Sequence, residues 1–459
     1  MSPYAESLLK TCECYTSAML KQPTRREFLK QAAAGAAAGV ASARPASAGE
    51  RRPFAAGRVI GANDRINVGF VGCGGRMNSH IRAIVERAKA KADVQPVAVN
   101  DIYDARKQRA RTLTGVDEKS VHHDYRELCA RSDVDAVVIS SPDHWHHLHA
   151  MEALRHGKDV YLEKPMTYTI EEAREIAEAV RGGRRILQVG SQYTSMDHFW
   201  KAKKAIADGL IGRVVWASGG FGRNRNQNGE WNYKIDPDAS EKNLDWKAFL
   251  GPAPKRPFDA ERYFRWRKYW DYSGGIATDL FYHTISPLLL TIGPEFPERV
   301  IGSGGVFVQK DREVPDTFFM NVDYPTFTIQ LACSVASGVG APLVVHGSEA
   351  TIFVAHDSET LTNRTIDVVP DREFAQEFRK KTGVERLSID VTPFERGTHP
   401  HMENFLASVR SRQSPNFPAD LGYKAMAAIR MGVDSYRRGD VLFFDSRKEK
   451  VTTKPADRT

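Results

Sequence analysis

Cysteine is scarce in this chain, with five among 459 residues. Cys12 and Cys14 fall in an N-terminal leader, and Cys73, Cys129 and Cys333 are scattered, which excludes a disulfide framework. No C-x-x-C pair and no His/Cys cluster stands at zinc spacing, so no metal is expected. No segment carries about 18 uninterrupted apolar residues, so no transmembrane helix is expected. A long basic run is also missing. The net charge is +8; residues 1–48, with six Lys/Arg and three Asp/Glu, carry +3 of it and the rest +5. Both signs are interspersed, the pattern of a solvated surface and not of a nucleic-acid partner. The length is too great for one ordinary core, so two domains are expected.

Residues 1–48 read as a leader. Thr24-Arg25-Arg26-Glu27-Phe28-Leu29-Lys30 has the form of a twin-arginine export motif. The mildly apolar Gln31–Ala43 follows, and Ala46-Ser47-Ala48 offers an A-x-A cleavage site. Such a signal is an address read by a receptor, not an anchor, and places the mature protein in the periplasm. Met1 and Met19 are both available as starts. Residues 49–64 read as a linker.

From there strand and helix patterns alternate. Ile66–Val71, Val94–Val99, Ala136–Ile139, Asp159–Leu162 and Ile186–Val189 are apolar runs, separated by helical patterns such as Asn78–Lys91, Trp145–Arg155 and Ile170–Val180. This is the signature of βαβ units and a parallel sheet buried on both faces. Residues 65–189 therefore form a doubly wound Rossmann domain, α/β in class. Past Gly190 come an aromatic, Pro-rich stretch, Trp231–Tyr272, and alternating runs at 299–308, 317–324, 327–334, 343–346 and 351–354. These predict an α+β domain, 190–459, with an open, mostly antiparallel sheet.

Gly72-Cys73-Gly74-Gly75-Arg76-Met77 lies directly after a strand and before a helix, the context in which G-x-G-x-x-G binds a dinucleotide. Gly72 allows the tight turn, and Gly74 lets a pyrophosphate approach a helix N-terminus. Met77 replaces the third glycine, and Gly75 is expected to relieve the crowding. Asp101, at the end of the second strand, suits the ribose hydroxyls of NAD and repels a 2′-phosphate. Arg106 nearby is compatible with NADP, so NAD is the preferred of the two.

Three further motifs stand in order: Val137–His146 (VVISSPDHWH), Gly157–Pro165 (GKDVYLEKP) and Gly274–His283 (GGIATDLFYH). Together they resemble the Gfo/Idh/MocA oxidoreductases, the group of glucose–fructose oxidoreductase and inositol dehydrogenase, over roughly Arg65 to Phe444. The stretch Phe264–Asp279 resembles an exported subgroup with twin-arginine leaders. The resemblance implies that Lys164 touches both substrate hydroxyl and nicotinamide ribose. It makes His283 the general acid/base, with Asp279 four residues earlier positioning substrate or tuning it. It places Ser141, Pro142, Asp143, Trp145 and His146 beside the nicotinamide, with Glu163 and Gln192 as further cofactor contacts. It also implies a homodimer or homotetramer through the C-terminal sheets.

Aromatic faces and guanidinium groups suit sugar rings. Tyr193, Arg223, Arg267, Trp270 and Tyr282 are accordingly candidate substrate contacts; Arg225, Trp231, Arg265, Trp266, Tyr269 and Tyr272 belong to the same segments. Metal binding by His144, His146, His147 and His149 lacks a completing carboxylate. The expected activity is hydride transfer from a hydroxyl of a sugar, glycoside or cyclitol to a tightly held NAD. Export would strand the cofactor, which must then be reset in place. Two alternatives stay open: an NAD-dependent glycosidase working by transient oxidation and elimination, with Tyr193 or Tyr282 as ring-proton base, and a non-catalytic sugar-binding protein.

Overall fold

Short runs of Val, Ile and Ala bounded by glycine or polar residues build six parallel strands: β1 (Ile66–Val71), β2 (Val94–Asn100), β3 (Val121–His122), β4 (Ala136–Ile139), β5 (Asp159–Glu163) and β6 (Leu187–Gly190). Their order is 3-2-1-4-5-6. It reverses between β1 and β4, so a crevice opens at the carboxyl ends of those two strands. The computed structural model describes residues 64–224, 229–356, 361–394 and 399–455. These belong to one of the two units into which the chain divides, Pro53–Thr459; the other, Met1–Arg52, lies outside the described residues, as do the leader, most of the linker and Arg225.

Alternate residues of β4 enter different cores, because neighbouring side chains of a strand point to opposite faces. Val137 and Ile139 pack with Ala150, Leu154, Ala173 and Ile176, from the helices His146–Arg155 and Ile170–Gly183. Val138 packs with Met77, Ile81 and Ile84 of the helix Gly75–Lys91. The same face is covered by Met402, Phe405, Leu406 and Val409 of the helix Pro400–Ser411, which returns from near the end of the chain.

Ten strands form the second sheet: β7 (Val214–Gly222), β8 (Arg299–Gly305), β9 (Thr317–Asp323), β10 (Thr328–Ser334), β11 (Leu343–Gly347), β12 (Ala350–Ala355), β13 (Thr365–Pro370), β14 (Leu387–Asp390), β15 (Leu442–Asp445) and β16 (Lys450–Thr452). The order is 14-13-12-11-7-10-9-8-15-16. Every described pairing is antiparallel except β7 with β10. The predicted open sheet is thus present, wider by the short strands β13 to β16. Among the described residues no helix is long and apolar enough to cross a membrane.

Between the sheets, the aromatic stretch folds over the first domain. Leu244, Trp246, Phe249, Leu250, Tyr263, Phe264 and Tyr272 make a small core with Tyr103, which follows β2. Backbone bonds fasten it: Asp104 N–H donates to Asn243 O (2.9 Å) and Asp245 N–H to Ile102 O (3.0 Å). We call this segment the strap.

Candidate active site

The helix Gly75–Lys91 has no side-chain cap and no acidic residue in its first turn. The helix Ile170–Gly183, by contrast, has a full capping box, Thr169 with Glu172. An uncapped N-terminus keeps its N–H groups and partial positive charge available to an anion. Gly72 has φ +79°, and a Cβ there would lie 2.8 Å from the backbone nitrogen of Ser141, so both conformation and contact require glycine. A Cβ on Gly74 would meet only Arg106, at 3.8 Å, and one on Gly75 nothing within 4 Å. Gly75 therefore relieves no crowding. Met77 is fully buried beside Val68 and Phe70, and supplies packing where the expected third glycine is missing.

Asp101 is 4% exposed at the end of β2. Its Oδ2 accepts the N–H of Cys73 (2.6 Å) and its Oδ1 that of Tyr103 (2.9 Å). The acid thus ties the glycine turn to β2 and lines the cavity, with acceptor capacity left on each oxygen. The Cys73 side chain is buried and lines nothing. A cavity of ≈ 1370 Å³ runs from here past Gly74, Arg76, Arg106, Arg109, Ser141, Pro142 and Trp145 to Glu163, Lys164, Gln192, Asp279 and His283. The lining fits a dinucleotide: Gly74 and Gly75 with room above the backbone, helix N–H groups without a side-chain cap, and the Asp101 carboxylate.

At the far end, Lys164 Nζ donates to Asp279 Oδ1 (2.7 Å) and to the Asp279 carbonyl (2.6 Å). Arg267 Nε donates to Oδ1 (3.0 Å) and Trp231 Nε1 to Oδ2 (2.8 Å). Asp279 sits in a π-helical turn, Ala277–Phe281, at the head of the helix Tyr282–Ile292. Such turns are wider than α and recur at functional sites. Burial opposes the charge on Asp279, but Lys164 and Arg267 outweigh it and hold the carboxyl well below its usual range. His283 is drawn well below the usual imidazole range, first by burial and then by Lys164. Its Nδ1 is buried and has no hydrogen-bond partner among the described residues.

Other expected contacts lie elsewhere. Tyr282 is fully buried and its hydroxyl donates to Gly422 O (3.1 Å), away from the crevice. Trp270 packs on Tyr436 and under Arg437, outside the cavity lining. Tyr193 stands beside His283, ring centroids 5.4 Å apart. Arg223 lines the cavity and pairs with Glu230 at 3.6 Å. Glu163 lines it too, but its carboxylate binds Arg76 (2.7 Å) and His80 (2.7 Å), bracing the glycine turn against β5. His146 is buried with its ring nitrogens near the carbonyls of Pro165 (2.6 Å) and Ser141 (2.9 Å), and a neutral ring donates to one of them. His144, His147 and His149 turn to Phe249 O, Glu175 and Ser141 Oγ respectively, so the four histidines do not converge. No group of metal-ligating side chains is found among the described residues.

The strap was not legible as a cover. Its Phe249 carbonyl accepts both Trp145 Nε1 (2.8 Å) and His144 Nε2 (2.9 Å), and Tyr103 donates its hydroxyl to Asp236 (3.2 Å). Trp266, with Arg267 stacked on it at 4.2 Å, carries the strap into the Lys164 end of the cavity.

Comparison with known proteins gives three kinds of match. The Gfo/Idh/MocA profile described as "Oxidoreductase family, NAD-binding Rossmann fold" matches residues 66–191. Two profiles described as "Oxidoreductase family, C-terminal alpha/beta domain" match 254–442 and 197–301. Inositol 2-dehydrogenase of Burkholderia cenocepacia is 34% identical over 148 residues, 32% of this chain and 43% of the relative. The matched part thus spans less than half the length of that relative. Among solved structures, levoglucosan dehydrogenase in complex with NADH superposes with a TM-score of 0.61 at 17% identity, covering 82% of this chain and 98% of the other. Aldose-aldose oxidoreductase from Caulobacter crescentus, complexed with glycerol, gives 0.59 at 17% identity, covering 83% and 100%. Likenesses at this identity speak to the fold.

Proposed function

Because the chain belongs to the Gfo/Idh/MocA oxidoreductase family, we propose that it oxidises a CH–OH group of a sugar, glycoside or cyclitol, using a resident NAD in preference to NADP. The observation that carries this reading is the Lys164–Asp279 pair, with His283, in one cavity with the Gly72–Gly75 turn. A bound nicotinamide dinucleotide supplies the two-electron acceptor. The side chains supply the rest. Lys164, oriented by its bond to Asp279, offers a donor to the oxygen on which negative charge develops. His283 is neutral and has an unpartnered ring nitrogen, so it accepts the hydroxyl proton. Trp231 and Arg267 fix Asp279 in place.

Residence of the cofactor is supported by the strap, which fastens across the crevice at Tyr103, His144 and Trp145. It agrees with the twin-arginine leader, since that route carries folded proteins to a compartment without a pool of NAD. Assembly through the second sheet is supported by Trp216, Ile301 and Phe319, which are 38%, 38% and 47% exposed.

The deciding experiment assays purified protein for bound nucleotide, then supplies glycosides and free sugars. Reduced cofactor with a keto-sugar product is expected. Aglycone release without net reduction would replace this reading by the glycosidase one, for which Tyr193 beside His283 is the remaining tyrosine. No bound nucleotide, and none taken up, would leave a sugar-binding protein.

A further inference from the structure

Asp143 lies in the turn that leaves β4, lines the cavity, and is only 2% exposed. Thr278, in the π turn, acts on its carboxyl in favour of the charged form. Its Oδ2 is buried and has no hydrogen-bond partner among the described residues. Facing it are Arg267 from the strap, Lys164 from the end of β5, and Asp279 from the π turn. Its own turn adds His144, which burial draws down to about 4 and leaves neutral. Two carboxyls therefore face the same two cations, and Asp279 holds both, Lys164 at 2.7 Å and Arg267 at 3.0 Å. Asp143 forms no ion pair among the described residues. A carboxyl so placed favours its neutral form: burial first, and then Asp279, push it up to about 7 against the pull of Arg267 and Lys164. A pair of acids driven apart in this way divides the labour of charge and proton.

We propose that Asp143 is the proton store of the site, loaded when the resident cofactor is reduced and emptied when it is re-oxidised. This rests on the reading of the protein as an NAD-dependent oxidoreductase. In the forward half-reaction the substrate C–H and O–H bonds break and a C=O bond forms. The carbon's hydrogen leaves with its electron pair for the oxidised nicotinamide dinucleotide. The hydroxyl proton, accepted first by His283, ends on the Asp143 carboxylate. One positive and one negative charge vanish together, so the cavity keeps its net charge. The return half-reaction, with a second carbonyl compound as acceptor, reverses each step. The coupling is electrostatic: an oxidised, positively charged ring favours ionised Asp143, and a neutral reduced ring favours the acid. Asp143 acts through its neighbours and is not itself placed on the reacting atoms.

The test loads the full-length protein with NAD+ or with NADH and compares the two by infrared difference spectroscopy near neutral pH. The NADH form should show about one more protonated carboxyl per chain than the NAD+ form. That band should fade as pH rises through neutrality and be missing from Asp143→Asn, which keeps the shape of the neutral acid. Identical carboxyl bands in two forms that both bind nucleotide would overturn the proposal and leave the function standing. So would a redox-linked band that survives in Asp143→Asn. If that variant does not fold, the pH dependence of the wild-type band decides. Failure of both nucleotides to bind would overturn the functional reading and the proposal with it.

Discussion

Asp279 receives the ammonium of Lys164 twice, on its carboxylate at 2.7 Å and on its own backbone carbonyl at 2.6 Å. The two residues lie 115 positions apart. One comes from the end of a parallel strand and the other from a π turn in the second domain, so this contact pins the two halves of the site together. Asp279→Asn removes the charge shared by Lys164 and Arg267 and leaves two half-buried cations under-compensated. We expect kcat/KM to fall by roughly 10²- to 10⁴-fold and stability by about 3 kcal/mol, read by steady-state kinetics and by denaturant unfolding.

His283 answers a different measurement. His283→Ala should lower kcat by about 10²- to 10⁴-fold while leaving KM little changed, because a proton acceptor acts in the transition state. In the wild type the acid limb of the kcat profile should fall below 6.5, the ordinary histidine value, since burial and Lys164 both disfavour the imidazolium. An acid limb at or above 6.5 would contradict this placement.

Stability should drop on mild acidification. Burial draws His144, His146 and His401 each from 6.5 down to about 4, against weaker opposing hydrogen bonds to backbone carbonyls. Between those values the unfolded chain binds protons that the native one refuses, so stability is present above 6.5 and is lost as pH falls towards 4. Asp143, raised from 3.8 to about 7, works in the opposite sense over much of that window. His149 and His283, which burial also draws down, act in the same sense, so the histidines outnumber the one acid and leave a net loss, about 1.4 kcal/mol per pH unit for each uncompensated proton. Calorimetric Tm values at descending pH check this.

Gly251 lies where the strap presses on Trp145. Its φ is +50°, and a Cβ there would lie 2.4 Å from Cζ2 of Trp145. Gly251→Ala should lift the strap at a cost of about 1–3 kcal/mol, raising the rate of nucleotide loss roughly 5- to 150-fold. Nucleotide remaining after gel filtration measures it, with Tm as the control for gross misfolding.

Lysine at both Arg25 and Arg26 should hold the protein in the cytoplasm, because an export receptor reads the guanidinium pair and not merely charge. Cell fractionation of a producing strain is the readout. Undiminished export of the double variant would dismiss the twin-arginine reading.

The sheets were largely legible because their residues declare themselves locally. Phe318, Met320 and Val322 alternate with exposed Phe319 and Asn321, and Ala136–Ile139 is buried throughout. The strands β14 to β16 carry too few residues to show a period, and in β13 the alternation of Ile366 and Val368 is broken by Val369-Pro370. The helix Pro400–Ser411 has an apolar stripe, but nothing in it says that Phe405 will meet Tyr161, far back in the chain. Motif resemblance, not periodicity, singles out Lys164, Asp279 and His283. Tyr282 and Trp270 carry chemistry suited to sugars, and their surroundings turn that chemistry to packing. Whether Asp143 carries a charge depends on which of two acids captures Lys164 and Arg267, a competition that only three-dimensional placement decides.

The gathering of the site's proton-handling side chains in one cavity has a kinetic consequence. On the proposed reading, donor and acceptor both meet the same Lys164, Asp279 and His283 at one end of the cavity. One must leave before the other arrives. Double-reciprocal plots against the two sugars should then run parallel, as they do for any machine that serves both customers through one window.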